Sequence, residues 1–137
     1  VNVRIAAGFT LLELLVVLAL LGLLMGLVAP NFVGQLERSG RRFALDQFQA
    51  QLSQLPRWAR LSGEVMVLEK LDAPKLNQGE EILSLPAGWH AAFTPPLRIS
   101  PSQICSSSSI AVTDDHAQLA ASYKITAPAC TPVDEDQ

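Results

Sequence analysis

The sequence predicts an α+β protein, with a long N-terminal helix packed on a small antiparallel β domain. Three observations carry that reading. The run from Leu14 to Ala29 holds no charged or polar side chain. Beyond Gln35, apolar residues recur at helical spacing at Phe48, Leu52, Leu55 and Ala59. From Glu64 onward, short β-branched segments alternate with Pro, Gly and Ser turn signals. A helix followed by several short strands is the α+β pattern.

The first element is the apolar run. As a helix, Phe9 to Val33 rises about 37 Å at 1.5 Å per residue, enough to cross a hydrocarbon core of about 30 Å with some tilt. Backbone groups in lipid must be satisfied internally, so a membrane segment here is helical. Gly22 and Gly26 form a small-xxx-small pair that lets another helix come close. Glu13 stands near the start of this run. A charged side chain deep in a bilayer costs roughly 2.5–3.5 kcal/mol on insertion scales, which makes Glu13 a functional candidate.

Gln35 to Ser62 reads as the soluble continuation of the helix, with Asp46, Gln49, Gln51 and Gln54 between the apolar positions. Pro56 either ends the helix near Leu55 or kinks it. The kink is favoured, because Gly63 then caps the C-terminus after Arg60 in the last turn. Arg57, Trp58 and Arg60 read as a solvated helix face with a buried Trp rather than a nucleic-acid patch.

Glu64 to Glu69 is a strand flanked by Gly63 and Pro74. Asp72 to Glu81 reads as a loop. Ile82 to Leu85 is a short strand closed by the turn Pro86-Ala87-Gly88. Trp89 to Phe93 and Leu97 to Ile99 read as two strands separated by Pro95-Pro96. Ser106 to Ser109 is a serine loop. Ile110 to Val112 and Ser122 to Thr126 pair as a hairpin around Asp114-Asp115-His116. The acidic end at Asp134, Glu135 and Asp136 reads as a solvated, mobile tail.

At 137 residues the chain has room for one membrane helix and one small domain. A net charge of −3 speaks against a nucleic-acid partner. His90 and His116 join no Ser, Cys or metal constellation, so no catalytic residue, no metal site and no cofactor is expected.

Gly8 followed by Phe9-Thr10-Leu11-Leu12-Glu13 and the apolar run resembles the type IV pilin class, which includes the pseudopilins of type II secretion. The resemblance covers about the first quarter of the chain. It implies that a prepilin peptidase cuts between Gly8 and Phe9 and methylates the new N-terminal Phe9. It gives Glu13 an assembly role as the fifth mature residue. Pro30 falls at the twenty-second, where the family often has proline. The implied organisation is a cytoplasmic leader at 1–8, a transmembrane and assembly helix at 9–33, its soluble continuation at 34–63, and a periplasmic β-rich domain with an acidic tail at 64–137. Arg4 in the leader fits the positive-inside tendency.

In an exported domain, Cys105 and Cys130, the only two cysteines, are expected to form a disulfide. A loop of that length stabilises by about 3–4 kcal/mol in the chain-entropy model.

The second half resembles most the H-type minor pseudopilin, through Ala59-Arg60-Leu61-Ser62-Gly63 before a hydrophobic strand and the serine-rich turn before Ile110-Ala111-Val112. The resemblance implies a structural, non-enzymatic subunit of a pseudopilus that takes part in export of folded proteins across the outer membrane. Its implied partners are other pseudopilins, the prepilin peptidase, an inner-membrane assembly platform and membrane lipid. The alternative is a minor pilin of a type IV pilus, in adhesion, motility or DNA uptake. A secretory signal peptide fits less well, because its apolar region is shorter and free of a carboxylate.

Overall fold

The computed structural model describes residues 8–136; the leader residues 1–7, Arg4 among them, lie outside them. The order is one helix, α1 (Leu11–Ser62), then seven strands: β1 (Met66–Leu71), β2 (Lys75–Asn77), β3 (Glu80–Leu83), β4 (His90–Ile99), β5 (Ser108–Thr113), β6 (Leu119–Ile125) and β7 (Val133–Asp134). Five strands form one antiparallel sheet in the order β1-β4-β5-β6-β7, and β2 and β3 form a separate hairpin. The chain divides into two units, Val1–Arg41 and Arg42–Gln137.

Helix α1 continues through Pro56, as the sequence favoured, and Pro56 is itself buried. The helix stops where Gly63 takes a left-handed φ of 71° and its N–H donates to the Ala59 carbonyl at 3.1 Å. Glycine takes that conformation without the steric cost of a Cβ. Phe48, Leu52, Leu55 and Ala59 are all buried, so the predicted stripe is the face that packs on the sheet. Burying a Phe or Leu side chain contributes about 1.5–3 kcal/mol relative to leaving it exposed. Trp58 is half-buried against the core, while Arg57 and Arg60 face solvent.

The sheet supplies the opposite wall through Ala91, Phe93, Leu97 and Ile99 of β4, Ile110 and Val112 of β5, and Ala121, Tyr123 and Ile125 of β6. Alternate residues of a strand face the same side, and these obey that period apart from one break in β4. Phe48 and Tyr123 meet across the layers with ring centroids 6.2 Å apart. Gln51 bridges the layers differently: its Oε1 accepts the Ser84 N–H at 2.9 Å.

Four strand expectations are corrected. The loop expected over Asp72–Glu81 contains β2 and the start of β3, joined by a tight turn with positive φ at Gln78 (51°) and Gly79 (86°). Two successive positive φ values are the backbone of the hairpin turn that matches strand twist, and Gln is an unusual first member. The two strands expected around Pro95-Pro96 are one strand, β4. Its pairing with β1 jumps from Leu97 to Ala92, and its pairing with β5 ends at Thr94. Pro95 and Pro96 therefore sit in the irregular stretch, where a missing N–H removes no ladder bond. The serine loop is shorter than expected, because Ser108 and Ser109 already belong to β5 and the Ser108 hydroxyl donates to the Pro95 carbonyl at 2.8 Å. The acidic end is not all tail: Asp134 lies in β7 opposite Tyr123, and the Glu135 N–H donates to the Ser122 carbonyl at 3.0 Å.

The hairpin expected around Asp114-Asp115-His116 is present between β5 and β6. Asp114 organises it from a buried position, its Oδ1 accepting from the N–H groups of His116 (3.0 Å) and Gln118 (2.9 Å). A short side chain that mimics a backbone turn in this way explains why Asp favours such loops.

Candidate processing and assembly site

Gly8, Phe9 and Thr10 precede the helix, and Leu11 is its first residue. The Thr10 hydroxyl oxygen accepts the Glu13 N–H at 3.2 Å, and the Thr10 carbonyl accepts the Leu14 N–H at 3.2 Å. Thr10 is thus the N-cap, and it satisfies one of the donors a helix start leaves without an intrahelical partner. Glu13, three residues on, occupies the acidic position of a capping box and sits in the first turn, where the helix dipole favours negative charge. Sequence reasoning weighed Glu13 and passed over Thr10. The signal was there as Thr-x-x-Glu ahead of an apolar run.

Phe9 and Glu13 are four apart, a spacing that shares a face only if both are helical. Phe9 lies outside the helix and is 83% exposed, so the two do not share a helical face.

Downstream, Leu11–Val28 is long and apolar enough to cross a membrane, and no part of it is buried within the chain. A Cβ added at Gly22 or Gly26 would meet nothing, so both glycines present open backbone. Pro30 lies inside α1, which continues past it.

The second unit holds the remaining sites. Cys105 and Cys130 form a disulfide with Cα atoms 5.2 Å apart. Cys105 is buried and its N–H donates to the Pro128 carbonyl at 3.2 Å, so the crosslink ties the β4–β5 connection to the segment entering β7. His90 Nδ1 lies 3.0 Å from Asp72 Oδ1 on an exposed surface. His116 stands 4.0 Å from Asp115 in the β5–β6 turn. Burial raises the Tyr123 phenol above its ordinary value, with the negative charges of Asp134 and Asp46 adding to the rise.

A capped helix start just after a glycine leads directly into a bilayer-length apolar segment. Residues 4–29 match the family model described as the prokaryotic N-terminal methylation motif. The chain is 34% identical over 90 residues to the type II secretion system core protein G of Escherichia coli K12, a match covering 66% of this chain and 53% of that protein. It is 46% identical over 48 residues to the core protein G of Dickeya chrysanthemi, covering 35% of this chain and 31% of that protein. The matched region thus spans about half of the first relative and a third of the second. No solved structure matches. In motif and relatives together the chain is similar to prepilin-like pseudopilins.

Proposed function

We propose that this chain is a structural subunit of a type II secretion pseudopilus, taking part in export of folded proteins across the outer membrane, and not an enzyme. The observation that carries the reading is register. The methylation motif, the helix start at Leu11 and the apolar segment Leu11–Val28 fall in the order that peptidase processing and membrane-anchored assembly require. Processing between Gly8 and Phe9, with methylation of Phe9, follows from the same motif. Glu13 and Pro30 then serve assembly with other pseudopilins on an inner-membrane platform.

The apolar segment Leu11–Val28 and the motif fit an inner-membrane anchor. A disulfide in the second unit supports an oxidising compartment for it, the periplasm.

The finer reading, an H-type minor subunit, draws on the helix ending at Ser62 just before β1 and on the serine-rich approach to β5. The relatives named core protein G favour a core subunit instead. Copy number in isolated pseudopili separates the two: a minor subunit is rare beside the main one.

Mass spectrometry of the membrane form tests processing. The expected N-terminus is N-methylated Phe9. An N-terminus at Pro30 would mean that the apolar run is a removed signal peptide, and the reading would fall. Deleting the gene should abolish secretion of exported proteins while leaving their folding in the periplasm intact.

A further inference from the structure

The five-stranded sheet ends at β1, the β2–β3 hairpin ends at β2, and the two ends share a groove of about 220 Å³. One wall is Val65-Met66-Val67, where β1 begins, and the other is the whole of β2, Lys75-Leu76-Asn77. Successive residues of a strand point to opposite faces, so a groove that meets three in a row meets the edge and its backbone groups. We infer that this groove takes an extended segment of a partner protein, alternating apolar and basic residues, as an added strand between β1 and β2.

The backbone asks for a strand. β1 has β4 on one side and β2 has β3 on one side, and among the described residues no strand pairs with the other edge of either. Unpaired edges are templates for another chain, and proteins commonly blunt them with charge, proline or a bulge. The far half of β1 is blunted in this way, by Glu69, Lys70 and a register shift between Leu68 and Lys70. Val65-Met66-Val67 carries none of these devices. A strand added there gains affinity from main-chain hydrogen bonds and specificity from its alternate side chains.

The side chains define what that strand carries. Val65 and Val67 are two apart and share a face, and both are exposed, as is Leu76 across the groove. Every second residue of the partner meets them, which calls for apolar residues at those positions. Residues 64–83, which build both walls, carry Glu64, Glu69, Asp72, Glu80 and Glu81 against Lys70 and Lys75. The positions between the apolar ones therefore suit lysine or arginine. The same charge speaks against a second copy of this chain. The strand at the other end of its sheet, β7, runs into Asp134, Glu135 and Asp136 and would set acid against acid, which is unfavourable across strands.

The test titrates the full-length chain in detergent micelles with a soluble peptide of alternating valine and lysine, reading amide exchange by nuclear magnetic resonance. The expected result is exchange that slows at residues 65–67 and 75–77 and saturates with peptide. A peptide alternating valine and glutamate should bind roughly tenfold more weakly, because each like-charge pair across strands is destabilising. The valine–lysine peptide methylated on alternate backbone nitrogens should weaken by a similar factor, since it keeps its charge but loses the donors an edge requires. Val67→Lys changes an exposed side chain outside the core and should weaken binding severalfold. Undiminished binding of the methylated peptide overturns strand addition, and equal binding of the glutamate peptide overturns the basic partner. Exchange at 65–67 and 75–77 that slows with protein concentration alone, without peptide, would show a second copy in the groove and overturns the inference as well. So does unchanged exchange at both strands when the peptide is in large excess.

Discussion

Gln51 and Ser84 hold each other through two groups. The amide oxygen of Gln51 on α1 accepts the Ser84 backbone N–H at 2.9 Å, and its amide nitrogen lies 3.5 Å from the Ser84 hydroxyl. Ser84 follows directly after β3, so this contact fixes the end of the β2–β3 hairpin against the helix. Both residues are half-buried, where water does not easily replace a lost partner.

Replacing Gln51 with Ala should leave the Ser84 N–H without its acceptor. The cost of a stranded, partly buried donor is about 1–3 kcal/mol. Thermal unfolding of the processed chain in detergent should show a lower Tm, with faster amide exchange at Ser84. An unchanged exchange rate at Ser84 would show that water or another group takes over.

The Tyr123 phenol gives a pH dependence with a defined sign. Its folded-state pKa is raised, chiefly by burial and then by Asp134 and Asp46. Below the unfolded value of about 10, both states keep the proton and Tyr123 adds no slope. As pH rises through about 10 the unfolded chain loses the proton first, so stability falls until the folded pKa is reached. Denaturant unfolding at pH 8 to 11 should show this decline, and Tyr123→Phe should flatten the part of it due to Tyr123.

The Cys105–Cys130 bond should be complete in protein taken from the periplasm. Alkylation without reductant should label neither thiol. Removing a native disulfide from a small exported domain typically costs about 2–5 kcal/mol. Here the local effect should be strongest at β7 and the segment 126–132, which enters β7 from the crosslinked Cys130 region. Hydrogen exchange on the reduced chain would locate that loosening.

Glu13→Ala should leave membrane insertion intact and impair entry into the filament. Cleavage before Phe9 would free an amine there, and the Phe9 amine of a neighbouring, staggered subunit is the expected partner for the Glu13 carboxylate. Breaking a buried pair by removing one member costs about 3–5 kcal/mol. Crosslinking to neighbouring pseudopilins, with a secretion assay at native expression, measures the loss. Normal crosslinking and secretion would deny Glu13 that role.

Much of the fold was legible because long periodic patterns are hard to mistake. Phe48, Leu52, Leu55 and Ala59 could face one way only on a helix, and they form the core wall. Gly63 after Arg60 announced the helix end. The short elements were obscured by residues whose usual meaning was overridden. Pro95-Pro96 reads as a strand break, yet a bulge absorbs both prolines within β4. Gln78 carries no turn signal, yet Gly79 after it lets β2 and β3 close. At the N-terminus the reverse occurred. The unusual charge of Glu13 drew attention, while Thr10, ordinary by composition, fixes the geometry around it.

The buried core starts at Phe48, and every buried apolar side chain among the described residues lies there or later. The apolar segment Leu11–Val28 therefore contributes no side chain to that core. Whatever surrounds Leu11–Val28, lipid or other helices, can change without unpacking a single core side chain among the described residues.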